Sequence, residues 1–177
     1  EYGLGDTAEW HTIDDYGIFG LDVVGLSANT SYYVKLKSRN GDGIESGWGE
    51  TRVIVTSATV PGNIVVLPDS QKGSTQLNIS WEGDGSSYKV EVSTSEEDTA
   101  EWKDISDSSE WIIGNSTVNS GLGANVLRYY RVKGRNAIGV ETNYSAMKGT
   151  YTYATTPDYA IPTYKDIGIS SITVLWS

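Results

Sequence analysis

The sequence contains no cysteine, and its 177 residues include only one histidine, one phenylalanine and one methionine. Without cysteine the chain has neither a disulfide framework nor a thiolate zinc site. A single histidine, His11, excludes chemistry that needs two. With 13 basic against 23 acidic side chains, the net charge of −10 argues against a nucleic-acid surface, which requires a basic patch. No apolar run approaches the ~20 residues that cross a bilayer, so no membrane span is predicted.

The abundant residues are those of strands and turns, with 20 glycines, 12 tyrosines and six tryptophans. Apolar side chains occupy every second position in segments such as 77–81, which places them on one face of a sheet. Short strands between Gly, Asn, Asp and Ser clusters predict an all-β antiparallel sandwich with almost no helix. The Gly-Asp-Gly segment 83–85 predicts a turn in which glycine supplies a positive φ.

Segments of the sequence recur at a nearly constant spacing. Asp-Thr-Ala-Glu-Trp at 6–10 returns at 98–102, an offset of 92 residues (98 − 6). Leu-x-Ala-Asn at 26–29 returns at 122–125, an offset of 96 (122 − 26). Because such matches follow in the same order along the chain, they predict a tandem repeat.

This period divides the chain into three predicted parts. Residues 1–57 form the C-terminal part of a first repeat, 60–156 form one complete repeat, and 157–177 form the opening strands of a third. We interpret the chain as an excerpt from a longer tandem array. In the alternative interpretation, another chain completes the two partial repeats by adding strands to an open edge.

The stretch after Leu26 resembles a fibronectin type III domain. Leu26 is followed six residues later by Tyr32, then by alternate inward apolar residues and Asn40, as at the E–F corner and strand F of that family. Trp81 and Trp176 match the tryptophan of its strand B. The resemblance implies immunoglobulin-like, fibronectin type III-like sandwiches in tandem, similar to those of large bacterial cell-surface proteins. It also implies that Tyr32, Trp81 and Trp176 are structural core residues.

The complete repeat departs from this resemblance at the corner tyrosine. The position that matches Tyr32 is occupied by Arg128, which is followed directly by Tyr129 and Tyr130. Two explanations are open at this point. Either the register of the strand slips by one residue, or another interaction replaces the tyrosine bond of the corner.

Trp10, Trp48 and Trp102 are candidate ligand-stacking aromatics. Exposed indole rings stack on the apolar faces of sugars, so these residues suit a carbohydrate-binding module. In the alternative interpretation they are loop aromatics folded over the edge of the sandwich. The recurrence of Trp10 as Trp102 favours such a structural role in each repeat.

Acidic residues in predicted loops are the other candidates, at 14–15, at 96–98 and at Asp104 with Asp107. Closely spaced carboxylates can supply the oxygen ligands of calcium, and a calcium ion at an inter-domain joint is one hypothesis. A solvated acidic surface is the favoured interpretation, because no EF-hand pattern is present. The sequence also has no phosphate-binding Gly-rich loop. We therefore predict no enzyme activity and no cofactor.

The expected function is that of a non-catalytic spacer in a long extracellular or cell-surface protein, in surface display or adhesion. The alternatives are a carbohydrate- or protein-binding adhesin module and a building block of an extracellular filament or virion tail. The predicted partners are the neighbouring repeats of the same chain. Carbohydrate, a surface protein or further copies of the chain are the alternative partners, and nucleic acid is excluded.

Overall fold

The computed structural model describes residues 2–3, 20–97, 99, 101–106, 110–156 and 163–175. All regular structure within these ranges is β-strand, which confirms the predicted all-β class. The strands are β1 (Tyr2–Gly3), β2 (Ser31–Val34), β3 (Arg52–Val55), β4 (Gly62–Pro68), β5 (Gln76–Glu82), β6 (Ser87–Ser93), β7 (Lys103–Asp104), β8 (Ser116–Ser120), β9 (Leu127–Arg135), β10 (Lys148–Tyr151), β11 (Thr163–Lys165) and β12 (Thr173–Leu175).

The predicted complete repeat contains an antiparallel β-sandwich. One sheet has the strand order β4-β5-β8, and the other has the order β10-β9-β6-β7. Burial alternates along β5, where Trp81 is 4% exposed; Trp176, its predicted counterpart, lies outside the described residues. Each large apolar side chain buried between the sheets contributes about 1.5–3 kcal/mol to folding. The core consists of Val66, Leu77, Ile79, Trp81, Tyr88, Val90, Tyr130 and Val132.

The glycines of the predicted turn at 83–85 have a different role from the expected one. Neither Gly83 nor Gly85 has a positive φ. The prediction that these glycines supply a positive φ was therefore wrong. A Cβ at Gly83 would lie 2.9 Å from the Tyr88 hydroxyl, and a Cβ at Gly85 would lie 3.2 Å from Cε1 of the same ring. The backbone therefore passes so close to the buried Tyr88 ring that a Cβ at either position would require the ring or the backbone to shift.

The pairing of β2 with β3 recurs in the pairing of β9 with β10. Ser31 lies opposite Val55, and Leu127 lies opposite Tyr151, so both partners are displaced by 96 residues (127 − 31 and 151 − 55). This recurrence supports the predicted division into repeats, whose boundaries stay a prediction. β1, β2 and β3 form a three-stranded sheet, and β11 and β12 form a two-stranded one.

The strand register also decides between the two explanations for the corner. Tyr32 lies opposite Ile54, and Arg128 lies opposite Thr150, again 96 residues apart (128 − 32). The register therefore does not slip, and Arg128 occupies the tyrosine position. In the first repeat the buried Tyr32 hydroxyl, in a side chain 7% exposed, accepts a hydrogen bond from Ser27 N at 2.8 Å.

A threonine bond stabilises both corners, with or without the tyrosine. Thr30 N donates to Thr56 Oγ1 at 3.0 Å, and Val126 N donates to Thr152 Oγ1 at 3.0 Å. Each threonine hydroxyl donates in turn to a carbonyl of its corner, at 2.7 and 2.8 Å. Because Thr152 makes the same bonds as Thr56, the complete repeat retains its corner although arginine replaces tyrosine.

Candidate functional site

The outer face of the β9–β6 pair carries a row of cations. Arg131, Lys133 and Arg135 alternate along β9 with buried residues, so their side chains share the face away from the core. Arg131 Nη2 lies 2.7 Å from Glu91 Oε2, and Lys133 Nζ lies 2.6 Å from Glu141 Oε2. These two cations are therefore neutralised by carboxylates of their own sheet and turn.

Three aromatic rings lie over these cations. The Arg131 guanidinium carbon is 4.3 Å from the Trp102 ring centroid and 4.2 Å from that of Tyr144. The Arg135 guanidinium carbon is 4.3 Å from the Trp111 ring centroid. Cations at these distances are attracted to the negative face of each ring. We call this arrangement the cation–π stack, which consists of Trp102, Arg131, Tyr144, Lys133, Trp111 and Arg135.

Glu91 connects two members of the cation–π stack. Its Oε2 accepts a hydrogen bond from Arg131 Nε at 2.8 Å, and its Oε1 accepts one from the Tyr144 hydroxyl at 2.6 Å. The side chains of Glu91 and Arg131 are only 17% and 19% exposed, so water screens their attraction less than on an open surface. Burial, followed by the hydrogen bond to the Glu91 carboxylate, raises the pKa of Tyr144.

Alkaline pH is expected to destabilise the complete repeat through its tyrosines. Burial, the main cause, raises the pKa of Tyr88, Tyr130 and Tyr144 above the ordinary value of 10.0. The folded chain therefore holds these protons more tightly than the unfolded chain does. Their stabilising contribution is fully present below pH about 10 and is lost as the pH rises further. The free energy of unfolding in urea should fall by up to about 1.4 kcal/mol per pH unit for each such tyrosine.

The control for this pH dependence compares a half-buried with an exposed tyrosine. Tyr144→Phe is expected to reduce the alkaline slope of the unfolding free energy. Tyr164→Phe, in β11 at a position that is 60% exposed, is expected to leave the slope unchanged. Equal slopes for the two variants would contradict the role assigned to Tyr144.

A similar arrangement surrounds Trp48, which precedes Tyr144 by 96 residues (144 − 48). The Trp48 ring centroid lies 4.6 Å from Lys35 Nζ and 4.9 Å from Lys37 Nζ. Lys37 also forms an ion pair with Glu45. The position of Trp48 in the first repeat thus corresponds to that of Tyr144 in the complete repeat.

The structure places two of the candidate ligand-stacking aromatics over cations of their own chain. Trp102 is half-buried on Arg131, and Trp48 is 42% exposed beside its two lysines. Trp10 lies outside the described residues. Cations of the same chain therefore already contact the Trp48 and Trp102 rings, which were candidate stacking surfaces for a sugar.

Trp111, Tyr144 and the cations of β9 were not among the residues predicted from the sequence. A signal was present, because the basic residues Arg131, Lys133 and Arg135 alternate with period two. That period was considered for apolar residues alone.

The joint between the two predicted repeats is a second candidate site. The Asn29 side chain, at the E–F corner of the first repeat, donates from Nδ2 to Asp84 O and, at 3.3 Å, to Ser86 Oγ. Its Oδ1 accepts a hydrogen bond from Ala137 N at 3.3 Å. Asn29 has a positive φ of 43°, a conformation that asparagine tolerates better than most residues.

The complete repeat contacts the first repeat and the linker in return. Asn136, 2% exposed, donates from Nδ2 to Thr56 O at 3.1 Å. Thr59 N donates to Asp84 Oδ1 at 2.8 Å, and the side chain of Ala58 is 9% exposed. Hydrogen bonds from Asn136 to Thr56 and from Thr59 to Asp84 therefore hold this part of the chain against the complete repeat.

No protein-family model and no curated protein matches the sequence. Several solved structures resemble the chain, and they are fibronectin type III domains. A Fn3-like protein from Clostridium thermocellum is 23% identical over 53% of this chain and 92% of its own, with a TM-score of 0.44. The domain of human fibronectin type III domain containing protein 3 is 17% identical over 59% and 94%, with a TM-score of 0.45. The chicken CNTN1 FN1-FN3 domains are 22% identical over 73% and 45%, with a TM-score of 0.38.

In the part of the chain that the structure describes, no three His, Cys, Asp or Glu residues are grouped so as to hold a metal ion. Asp104 instead forms an ion pair with Lys89 at 3.2 Å. Residues 14–15, Asp98 and Asp107 lie outside the described ranges, so the calcium hypothesis stays untested. Over the same described residues, no helix has the length and apolar character needed to cross a membrane.

Proposed function

We propose that the chain is a non-catalytic spacer segment of a long extracellular tandem-repeat protein, with a role in surface display or adhesion. The observation that carries this proposal is the hydrogen-bonded joint around Asn29. Small interfaces between domains ordinarily allow relative motion. A joint in which side chains of both repeats bond to the opposite backbone favours one orientation, which a spacer needs in order to hold its ends apart.

The free energy of the joint is sufficient for this role although each bond is weak. A typical hydrogen bond contributes about 0.5–1.5 kcal/mol net. The linker between Thr56 and Pro61 is short, so the two repeats meet at a high effective concentration and lose little further entropy on contact. A few bonds at Asn29, Asn136 and Thr59 therefore suffice to favour the closed joint.

The tryptophans support a spacer over a carbohydrate-binding module. The Trp102 and Trp48 rings contact arginine and lysine side chains of their own chain. These contacts add stability to the outer faces of the sheets and restrict access to the rings.

The test measures whether the two repeats keep a fixed distance. Because the chain has no cysteine, Thr51→Cys and Ser80→Cys create two unique sites for spin labels, both exposed and one in each repeat. We expect electron–electron double resonance to give one narrow distance distribution. A broad distribution in this doubly labelled chain would contradict the spacer proposal.

Asn29→Gly is the variant that breaks the joint, and it is expected to broaden the distribution. Glycine adopts the positive φ of this position without strain, so the substitution removes only the side-chain bonds. The matched control is Asn125→Gly, 96 residues later (125 − 29), with a positive φ of 54°. Among the described residues the Asn125 side chain has no hydrogen-bond partner, so this change is expected to leave the distribution narrow.

A further inference from the structure

The two surfaces that meet at the joint come from different parts of the repeat fold. The corner face consists of Asn29 and Thr56 of the first repeat together with Ala58 of the linker. The loop face, on the complete repeat, consists of Asp84, Ser86, Asn136 and Ala137. Because these surfaces are not the same, the contact is head-to-tail and can be repeated along a chain.

The complete repeat carries its own corner face, 96 residues further along the sequence. Asn125, Thr152 and Ala154 stand at the positions of Asn29, Thr56 and Ala58 (125 − 29, 152 − 56 and 154 − 58). We propose that this second corner face docks the loop face of a following repeat. The inference rests on the proposed spacer function and extends it by assigning the docking residues.

The backbone presents Asn125 in the same way as Asn29. Both residues have a positive φ, 54° and 43°. Asn29 N donates to Ser57 O at 3.0 Å, and Asn125 N donates to Tyr153 O at 3.0 Å. The Asn125 backbone therefore has the same conformation and the same hydrogen bond as that of Asn29. Its side-chain amide supplies a donor and an acceptor at the equivalent position of the second corner.

At Asn29 and Ala58 burial differs between the two corner faces in the way that docking would produce, whereas Thr152, 3% exposed, is more buried than Thr56. Asn29, which contacts the complete repeat, is half-buried, and Ala58 is 9% exposed. Their counterparts Asn125 and Ala154 are exposed. Among the described residues nothing pairs with the donor and acceptor of the Asn125 amide. This amide matches a loop that offers a backbone carbonyl, a hydroxyl and a backbone N–H, which are the groups that Asn29 contacts.

The linker sequence also recurs. Thr-x-Ala-Thr-x-Pro occupies 56–61 and returns at 152–157. In the first copy, the second threonine of this motif, Thr59, donates its backbone N–H to Asp84 Oδ1 of the loop face. A linker of the same length brings a following repeat to Asn125 with the same reach. The occupant that fits best is therefore a further repeat with a loop like 84–86, rather than an unrelated ligand.

The experiment uses an extended chain in which residues 1–155 are followed by a second copy of 60–177. This fusion places two complete repeats in succession with the natural linker length. Ser80→Cys in both copies provides the spin-label pair, and we expect a narrow distance distribution. Asn125→Gly in the first copy is expected to widen it about twofold or more, because a flexible linker then replaces a bonded joint.

The control is Asn125→Gly in the second copy, where no complete repeat follows and the width should not change. Equal unfolding temperatures of the two variants would show that both repeats remain folded. A distribution that is broad from the start, or one that the first-copy substitution leaves unchanged, would overturn the inference. If the distribution of distances between positions 51 and 80 in the original chain is nevertheless narrow, the spacer proposal holds and only the role of Asn125 is contradicted.

Discussion

Trp81→Ala is expected to lower the free energy of unfolding of the complete repeat by about 3–5 kcal/mol. The indole is 4% exposed and packs edge-to-face against Tyr88, with ring centroids 5.3 Å apart and an interplanar angle of 62°. Alanine removes this burial and leaves a cavity between two hydrogen-bonded sheets. The sheets cannot close the cavity without disturbing the ladders of β5 and β6, so most of the loss persists.

Urea unfolding followed by far-ultraviolet circular dichroism measures this change, since that signal arises mainly from the backbone and remains after the indole is deleted. Trp48→Ala is the control, because Trp48 is 42% exposed and lies outside the sandwich core. We expect it to cost less than about 1 kcal/mol, the scale of an exposed cation–π contact. A similar loss for both variants would contradict the assignment of Trp81 to the core.

Trp81→Phe distinguishes the effect of ring burial from that of the indole N–H. The Trp81 Nε1 atom is buried without a hydrogen-bond partner among the described residues, which disfavours the folded state. Phenylalanine retains much of the packing and removes this polar group. The loss in unfolding free energy should therefore be clearly smaller for Trp81→Phe than for Trp81→Ala.

The sandwich was predictable because its core follows the period of a strand. The inward positions assigned to Leu77, Ile79 and Trp81 lie in the core, and Asn78 and Ser80 between them are exposed. The glycines at 83–85 show the limit of such reasoning. Composition identifies a turn, but only the packed structure shows that they make room for a ring rather than supply a positive φ.

The cation–π stack was not predictable from one strand. Basic residues at every second position of β9 also fit a plain solvated face, which is the commoner outcome. The stack exists because Trp102, Trp111 and Tyr144 reach that face from three separate loops. Their positions depend on chain paths that no local period encodes.

The joint depends on contacts that are still more distant in sequence. Asn29 bonds to Asp84 and Ala137, which lie 55 and 108 residues away. The repeated Leu-x-Ala-Asn motif marked Asn29 and Asn125 as equivalent, but not as docking residues. In the structure, Asn29 is half-buried and its counterpart Asn125 is exposed. Only this difference distinguishes a repeat motif that stabilises its own unit from one that also contacts the next repeat.

Glu91→Ala is expected to have the second largest effect, a loss of about 1.5–3 kcal/mol in unfolding free energy. Hydrogen bonds to charged groups have this magnitude, and Glu91 accepts them from Arg131 and Tyr144. Its removal also leaves the Arg131 guanidinium, 19% exposed, without its carboxylate. Unpaired charges withdrawn from water are costly, so the loss should exceed that of an exposed ion pair.

Glu141→Ala is the matched control for Glu91→Ala, because it also removes a carboxylate from a cation of β9. The Glu141 side chain is 47% exposed where it pairs with Lys133, so its loss should cost no more than about 1 kcal/mol.

The ionisation of the Tyr144 phenol tests the contact with Glu91 independently of stability. Since the Glu91 carboxylate raises the pKa of Tyr144, Glu91→Ala should move the phenolate transition at 295 nm to lower pH. An unchanged transition, or equal losses for the two glutamates, would show that Glu91 is a surface charge and not the link within the cation–π stack.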